Sequence, residues 1–175
     1  RFAHRGGYAN GPENTVETIL YNIQQGVSAV EIDVMLTKDN ELILFHDKTV
    51  ERVLQADSAI EVSDLTLKEI KQWPLRKTNS GTQYVASLNE LIDTLVQLIP
   101  QNGINDFILE IDFKPYGGSV KTGVRALTDI IDRHKASIGD GIYNYFFIST
   151  FYPGVLKELH LQEPKINTAF AVHNS

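Results

Sequence analysis

Strand patterns alternate with helix patterns along the whole chain, and this alternation limits the fold more than any other feature of the sequence. Strands place apolar side chains at every second position, whereas helices place them every three or four positions. The alternation predicts an α/β architecture with parallel strands. The six predicted strands span residues 2–5, 28–36, 41–46, 106–114, 145–150 and 167–172.

Five helices are predicted between these strands. The first begins at Asn14 or Thr15, which are favourable N-cap residues, and it ends at Gly26. A clear apolar stripe marks the helix predicted at 87–99. The other helices are predicted at residues 66–73, 120–135 and 154–161.

Length and composition favour one globular domain. The 175 residues are 42% hydrophobic and 22% charged, and no apolar run approaches the length that spans a bilayer. No targeting segment is visible, which leaves both a cytoplasmic and an exported protein open. The net charge of −6 argues against a nucleic-acid partner. Because the chain has no cysteine, any catalysis rests on histidines, carboxylates and cations.

Two carboxylates share one face of the second predicted strand. Glu31 and Asp33 lie two residues apart, so their side chains project the same way and can bind one cation together. Carboxylates alone favour a hard ion, Ca²⁺ or Mg²⁺, over Zn²⁺. Glu110 is the natural third ligand because it also lies on an alternating strand, near the carboxyl end where sites in parallel α/β folds collect.

Reactive side chains also follow the first and third predicted strands. His4 and Arg5 end the first strand, and His46 ends the third. In a barrel-type sheet both strand faces are buried, so inward acids and imidazoles are costly without a metal, a partner or water. Their placement predicts a functional site. Histidine as a residue type exchanges protons near neutral pH, so a pair of histidines can remove one proton and supply another, which phosphodiester cleavage requires.

Four motifs occur in order along the first 47 residues. They are His4-Arg5-Gly6, Pro12-Glu13-Asn14-Thr15, Val30-Glu31-Ile32-Asp33-Val34 and His46-Asp47. In order and spacing these motifs resemble the glycerophosphodiester phosphodiesterase family. Weaker similarity continues as far as Ser149-Thr150-Phe151, so the resemblance covers nearly the whole chain.

The resemblance implies a (β/α)₈ TIM barrel with one divalent cation at its carboxyl-terminal rim. It implies metal-dependent hydrolysis of glycerophosphodiesters, which are small deacylated phospholipids, to glycerol phosphate and an alcohol. By the same resemblance, the metal ligands are Glu31, Asp33 and Glu110, and the acid and base are His4 and His46. Which histidine is the base, and whether a cyclic phosphate forms, stay open at this point.

The resemblance also assigns phosphate-binding and supporting residues. Arg5 matches the phosphate-binding arginine, and Glu13 is expected beside the metal or holding Arg5 and His4 in place. Asp112 stands where the family has a phosphate-binding lysine, so we expect Lys114, one pleat further along, to take that role. Asp112 is a supporting residue that could join the metal ligands.

Length is a second departure from the family. Barrels of this kind have eight strands and about 250 residues, whereas the sixth predicted strand lies near residue 175. We therefore expect residues 1–175 to form a single barrel domain that contains the first six strands and is incomplete at its C-terminus. Two alternative functions are a sphingomyelinase D-like phospholipase and a catalytically inert metal- or phosphate-binding module.

Overall fold

A computed structural model describes residues 1–102 and 107–172, and six strands within them form one sheet. Five strands run parallel in the order β1-β2-β4-β5-β6, and β3 pairs with β2 in the antiparallel direction. The strands are β1 (Phe2–Ala3), β2 (Ala29–Leu36), β3 (Leu42–Leu44), β4 (Ile108–Lys114), β5 (Phe146–Thr150) and β6 (Thr168–Phe170).

The position of β3 differs from the predicted parallel arrangement. Only a short turn, in which Asn40 has a positive φ of 63°, connects β2 to β3. A parallel connection needs a crossover of a dozen or more residues, so this short turn permits only an antiparallel hairpin. The prediction that all six strands are parallel is therefore wrong for β3. As a result β4, rather than β3, is the parallel neighbour of β2.

Five α-helices follow the predicted pattern. They are α1 (Val16–Gln24), α2 (Leu67–Ile70), α3 (Leu88–Asn102), α4 (Val120–Ile138) and α5 (Pro153–Gln162). Thr15 caps α1, and its hydroxyl accepts a hydrogen bond from the Thr18 N–H. Asp106, the predicted first residue of the fourth strand, lies outside the described residues. The described helices are too short or too polar to cross a membrane.

The main hydrophobic core lies between the sheet and helices α1, α3, α4 and α5. Strand β2 is buried along nearly its whole length, and its apolar face contributes Val30 and Ile32. Each fully buried side chain of this kind stabilises the fold by about 1.5–3 kcal/mol. The opposite face of β2 carries Glu31 and Asp33, which are also buried. Strand β2 therefore carries two buried acids on the face opposite the main hydrophobic core.

A second hydrophobic cluster lies mainly in the segment between β3 and α3. Phe45, Leu54 and Ile70 form its centre, and Trp73 and Tyr116 pack against it. Through Tyr116 this cluster contacts the loop that follows β4. The cluster therefore supports the region in which β2, β3 and β4 end.

Candidate active site

The register of β2 against β4 brings four acids together. Glu31 is paired with Glu110, and Asp33 is paired with Asp112. Glu31, Asp33 and Asp112 are buried, and each offers one carboxylate oxygen within 4.8 Å of the other two. Three buried carboxyl groups at this separation cannot all ionise without cost, so the cluster favours a bound proton or a cation.

The electrostatics of Glu31 reflect this crowding. Burial, together with the charge of Asp33, raises the pKa of Glu31 to about 8. The Arg5 N–H opposes this shift by donating a hydrogen bond of 2.7 Å to Glu31 Oε2. Ionising Glu31 is therefore costly unless positive charge lies beside it.

Asn14 holds Asp33 through two hydrogen bonds. Asn14 Nδ2 donates to Asp33 Oδ2 at 2.9 Å, and Asn14 Oδ1 accepts from the Asp33 N–H at 3.1 Å. Asn14 is buried and has a positive φ of 54°, a conformation that asparagine tolerates better than most residues. Sequence reasoning assigns Asn14 only as a possible helix cap and misses this role. The hydrogen bond between the Asn14 amide and the Asp33 carboxylate, 19 residues apart, is seen only in the structure.

Lys114 lies between two of the acids. Its Nζ donates to Asp33 Oδ1 at 2.7 Å and to Asp112 Oδ2 at 2.8 Å. Burial alone would lower the pKa of Lys114, but the charges of Asp33 and Asp112 outweigh burial and raise it. The ammonium is therefore charged and fixed beside the carboxylate cluster.

His46 is held from both sides of its ring. Its Nδ1 lies 2.7 Å from Asp47 Oδ1, and its Nε2 lies 2.7 Å from Arg5 Nη2. A guanidinium can only donate, so Nε2 is the acceptor and Nδ1 carries the proton that Asp47 accepts. Burial would raise the pKa of Asp47, but hydrogen bonds from Arg52 and His46 lower it. Asp47 is therefore ionised and fixes this tautomer of His46.

Arg5 reaches His46 because the backbone turns sharply after β1. Arg5 has φ 49° and ψ 46°, a left-handed conformation that is uncommon for a residue with a Cβ atom. This turn aims the Arg5 N–H at Glu31 and the guanidinium at His46 and Glu13, with Nη1 3.6 Å from Glu13 Oε1. Backbone strain of this kind costs roughly 1–3 kcal/mol and clusters at functional sites.

Arg52 is a second residue that sequence reasoning misses. Its guanidinium donates to both oxygens of Glu13, at 2.9 and 2.5 Å, and to both oxygens of Asp47. Glu13 contacts Arg5, and Asp47 contacts His46. Arg52 therefore links the supports of two predicted site residues. Arg52 lies in none of the four motifs. Because it is 39 residues from Glu13, the sequence does not indicate their contact.

His4 stands at the mouth of the site. Its side chain is 54% exposed, and its Nε2 lies 3.7 Å from Glu31 Oε2. The Tyr8 ring packs edge-on against the His4 ring at a centroid distance of 5.8 Å. His4 is thus the more accessible of the two predicted histidines.

The predicted site residues meet around one cleft of about 530 Å³. Arg5 and Glu13 are not among the residues that line the cleft, but Arg5 contacts His46 and Glu13 contacts Arg5. Glu110 is only partly buried and is not in the group of mutually close oxygens found among the described residues. The predicted site residues that line the cleft are His4, Glu31, Asp33, His46, Glu110, Asp112 and Lys114.

Parallel strands joined by helices, with acids and histidines gathered at one cleft, are typical of TIM-barrel enzymes. The glycerophosphodiester phosphodiesterase of Thermotoga maritima has a similar fold, with a TM-score of 0.69 at 22% identity over 99% of this chain and 62% of that structure. The predicted TIM-barrel class is therefore confirmed, with part of the barrel in this chain. The model of the glycerophosphoryl diester phosphodiesterase family matches residues 4–175, and the chain belongs to that family.

Curated relatives support the same assignment. Glycerophosphodiester phosphodiesterase 1 of Mus musculus is 28% identical over 95% of this chain and 47% of its own length. The glycerophosphodiester phosphodiesterase of Caldanaerobacter subterraneus is 35% identical over 64% of this chain and 44% of its own length. The chain thus spans about half the length of these relatives. A phosphodiesterase from Oleispira antarctica, solved with its product sn-glycerol-3-phosphate, has a TM-score of 0.75 at 25% identity over 98% of this chain and 65% of that structure.

Proposed function

We propose that the protein hydrolyses glycerophosphodiesters to glycerol phosphate and an alcohol. The observation that carries the proposal is the convergence of His46, Arg5 and the buried acids of β2 and β4 on one cleft. Family membership and the product complex of the Oleispira antarctica relative support the choice of substrate class. They favour this activity over a sphingomyelinase D-like phospholipase or an inert binding module.

The cluster of carboxylates formed by Glu31, Asp33 and Asp112 fits a hard divalent cation, Ca²⁺ or Mg²⁺. Its donors are all carboxylate oxygens, which these ions prefer. One of them, Asp112 Oδ1, is buried without a hydrogen-bond partner among the described residues, so a positive ligand would satisfy it. Glu31, Asp33 and a carboxylate from β4 would hold the ion. When bound, the ion would supply positive charge against the non-bridging phosphate oxygens and lower the pKa of a nearby hydroxyl or water.

His46 is the proposed general base. Its Nε2 carries a lone pair on the cleft side, because Asp47 holds the proton on Nδ1. Arg5 Nη2 donates to this lone pair in the structure, so Nε2 can accept the proton of the attacking hydroxyl, as the new phosphorus–oxygen bond forms, once Arg5 has turned to the substrate phosphate. Asp47 then faces the positive imidazolium and stabilises it.

His4 is the proposed proton donor to the departing alcohol. It is exposed at the cleft mouth, where a leaving group can depart into solvent. As the bond from phosphorus to the leaving oxygen breaks, that oxygen takes the proton from His4. Glu31, 3.7 Å away, faces the protonated ring before the transfer.

Arg5 and Lys114 are the proposed phosphate-binding cations. Arg5 already directs Nη2 towards the cleft at His46, and Lys114 lines the same cleft. A guanidinium and an ammonium are both cationic, so they can neutralise the phosphodiester and the further charge that develops on it. Glu13 supports the Arg5 guanidinium through its Oε1, which lies 3.6 Å from Arg5 Nη1.

Release of sn-glycerol-3-phosphate from glycerophosphocholine, in Ca²⁺ or Mg²⁺, tests the proposal. We expect turnover by the protein and its loss by about 10²–10⁴-fold in His46→Ala and His4→Ala. His160→Ala is the matched control, because His160 is exposed on α5, outside the cleft. Equal turnover in all three variants would overturn the assignment of the two histidines. No turnover by the protein with bound cation would overturn the proposed activity.

A further inference from the structure

We propose that a basic groove next to the cleft binds a second anionic group of the substrate, a phosphate carried by the alcohol that leaves during hydrolysis. This inference rests on the proposed function and deepens it by naming the class of leaving alcohol. The groove has a volume of about 550 Å³ and is lined by residues 8–13, 52–53 and 75–79. It shares no lining residue with the cleft that holds the histidines and acids.

Cations outnumber acids along the basic groove. Arg52, Arg76 and Lys77 line it, and Glu13 is the only acid among the described residues that do so. Glu13 is already occupied, because it accepts hydrogen bonds from Arg52 and lies 3.6 Å from Arg5 Nη1. The lining therefore carries an excess of positive charge, which favours an anionic ligand.

Arg76 is fixed in place without a carboxylate partner. Its Nε donates to the backbone carbonyl of Glu51 at 2.7 Å, and its Nη2 donates to the backbone carbonyl of Ala56 at 2.7 Å. Both acceptors are neutral, so the guanidinium keeps its net positive charge. Lys77 follows directly and is exposed. A guanidinium with fixed geometry and an ammonium on a flexible stem are both suited to a phosphate.

Two contacts tie the basic segment to the opposite wall of the groove. Asn79 Nδ2 donates to the Asn10 carbonyl oxygen at 3.0 Å, although the two residues are 69 positions apart. At Gly11 the walls approach so closely that a Cβ atom would lie 2.7 Å from Asn79 Nδ2. These contacts hold Arg76 and Lys77 beside the loop that follows β1.

Tyr8 connects the basic groove to the cleft. Tyr8 lines the groove, and its ring packs edge-on against the ring of His4, which lines the cleft, at a centroid distance of 5.8 Å. His4 is the proposed proton donor to the leaving alcohol, so that alcohol lies on this side of the cleft. An alcohol that extends past Tyr8 reaches the basic groove. A phosphate several bonds beyond the leaving oxygen is therefore the group that Arg76 and Lys77 would bind.

Kinetics with two synthetic glycerophosphodiesters test the inference. The leaving alcohol of both is butanediol, and in one of them the far hydroxyl carries a phosphate. In the presence of Ca²⁺, kcat/KM should be about tenfold higher for the phosphorylated diester, because its second phosphate gains the attraction of Arg76 and Lys77. Potassium chloride should reduce this ratio, because salt screens exposed charges.

Variants of Lys77 assign the effect to the basic groove. Lys77→Met should lower the ratio of the two kcat/KM values by about threefold, and Lys77→Glu by about tenfold, because glutamate repels the second phosphate. Lys157→Glu is the matched control, since Lys157 is exposed on α5 and lines neither the groove nor the cleft. Thermal unfolding checks that each variant is folded. Equal ratios in Lys77→Glu and Lys157→Glu would overturn the assignment.

Calorimetric titration with the same two diesters separates this inference from the proposed function. It compares their dissociation constants whether or not they are hydrolysed. Turnover with equal binding and equal kcat/KM for both diesters overturns this inference alone. Tighter binding of the phosphorylated diester, lost in Lys77→Glu, without turnover of either diester overturns the proposed activity alone.

Discussion

Arg5 donates from Nη2 to His46 Nε2 across 2.7 Å, although the two residues are 41 positions apart. This contact shows that His46 is an acceptor on its cleft side. It joins the turn after β1 to the segment after β3, and it depends on the left-handed backbone of Arg5. The relationship places a phosphate-binding candidate beside a base candidate.

Asp47→Asn should lower kcat while KM changes little. Asp47 accepts the Nδ1 proton of His46 and carries a charge that can stabilise the imidazolium, and asparagine provides no such charge. Loss of such an orienting carboxylate costs from about tenfold to 10⁴-fold in rate. Steady-state kinetics with glycerophosphocholine measure the effect. Unchanged kcat would show that Asp47 does not support the base.

Arg52→Lys should reduce kcat by about tenfold through the acids that it holds. A lysine cannot reproduce the planar fork that binds both oxygens of Glu13 and of Asp47. Because the Arg52 side chain is 47% exposed, the loss of folding stability should stay below about 1 kcal/mol. Arg125→Lys on α4, whose guanidinium forms an exposed ion pair with Asp129, is the matched control. Equal kcat in the two variants would contradict a positioning role for Arg52.

Asn14→Ala and Asn14→Gly should differ in stability in a defined order. Both variants lose the two hydrogen bonds to Asp33, at a cost of about 1–3 kcal/mol. Glycine adopts the positive φ of this position without strain, so Asn14→Ala should be less stable than Asn14→Gly by about 1 kcal/mol. Urea denaturation measures both free energies of unfolding. The reverse order would show that the backbone at residue 14 is not under this constraint.

Stability should fall as pH rises through the titration range of Glu31. The folded protein holds this proton up to about pH 8, whereas an unfolded glutamate loses it near pH 4.5. Between these values the folded state binds more protons, so the contribution of Glu31 to stability declines as pH increases. In EDTA, the difference in Tm between Glu31→Gln and the unmodified protein should therefore grow from pH 5 to pH 8. A constant difference would contradict the raised pKa.

Ca²⁺ should reverse this loss at high pH. The ion competes with the proton for the carboxylate cluster, so its binding strengthens as Glu31 ionises. The increase in Tm produced by a fixed Ca²⁺ concentration should be larger at pH 8.5 than at pH 6. An increase that is the same at both values would place the ion away from Glu31.

Local patterns in the sequence predict much of this fold and site. The alternation in 28–36 and 106–114 identifies β2 and β4, and the acids on one face of each strand identify the cleft. The antiparallel direction of β3 follows from a short turn, a connection-length effect that the strand pattern does not contain. That direction makes β4 the parallel neighbour of β2 and thereby pairs Asp112 with Asp33.

The residues that sequence reasoning missed act through distant contacts. Arg52 lies in no motif, and Asn14 lies in the Pro12–Thr15 motif but is predicted only as a possible helix cap; Asn14 contacts Asp33, 19 residues away, and Arg52 contacts Glu13, 39 residues away. Their roles depend on a left-handed backbone at residue 14 and on the folded path of the segment after β3. Neither the backbone conformation at residue 14 nor the path of that segment can be predicted from composition or periodicity. The two site histidines and the acids of β2 and β4 are accessible to prediction because each follows or lies within a recognisable strand.

A crystal structure grown with Mn²⁺ and sn-glycerol-3-phosphate tests the central claim most directly, because the anomalous signal of Mn²⁺ locates the ion. We expect one ion within about 2.0–2.6 Å of carboxylate oxygens of Glu31 and Asp33, with the phosphate against Arg5 and between His4 and His46. An ion bound elsewhere, or a phosphate outside this cleft, would contradict the claim that these residues form the phosphodiesterase site.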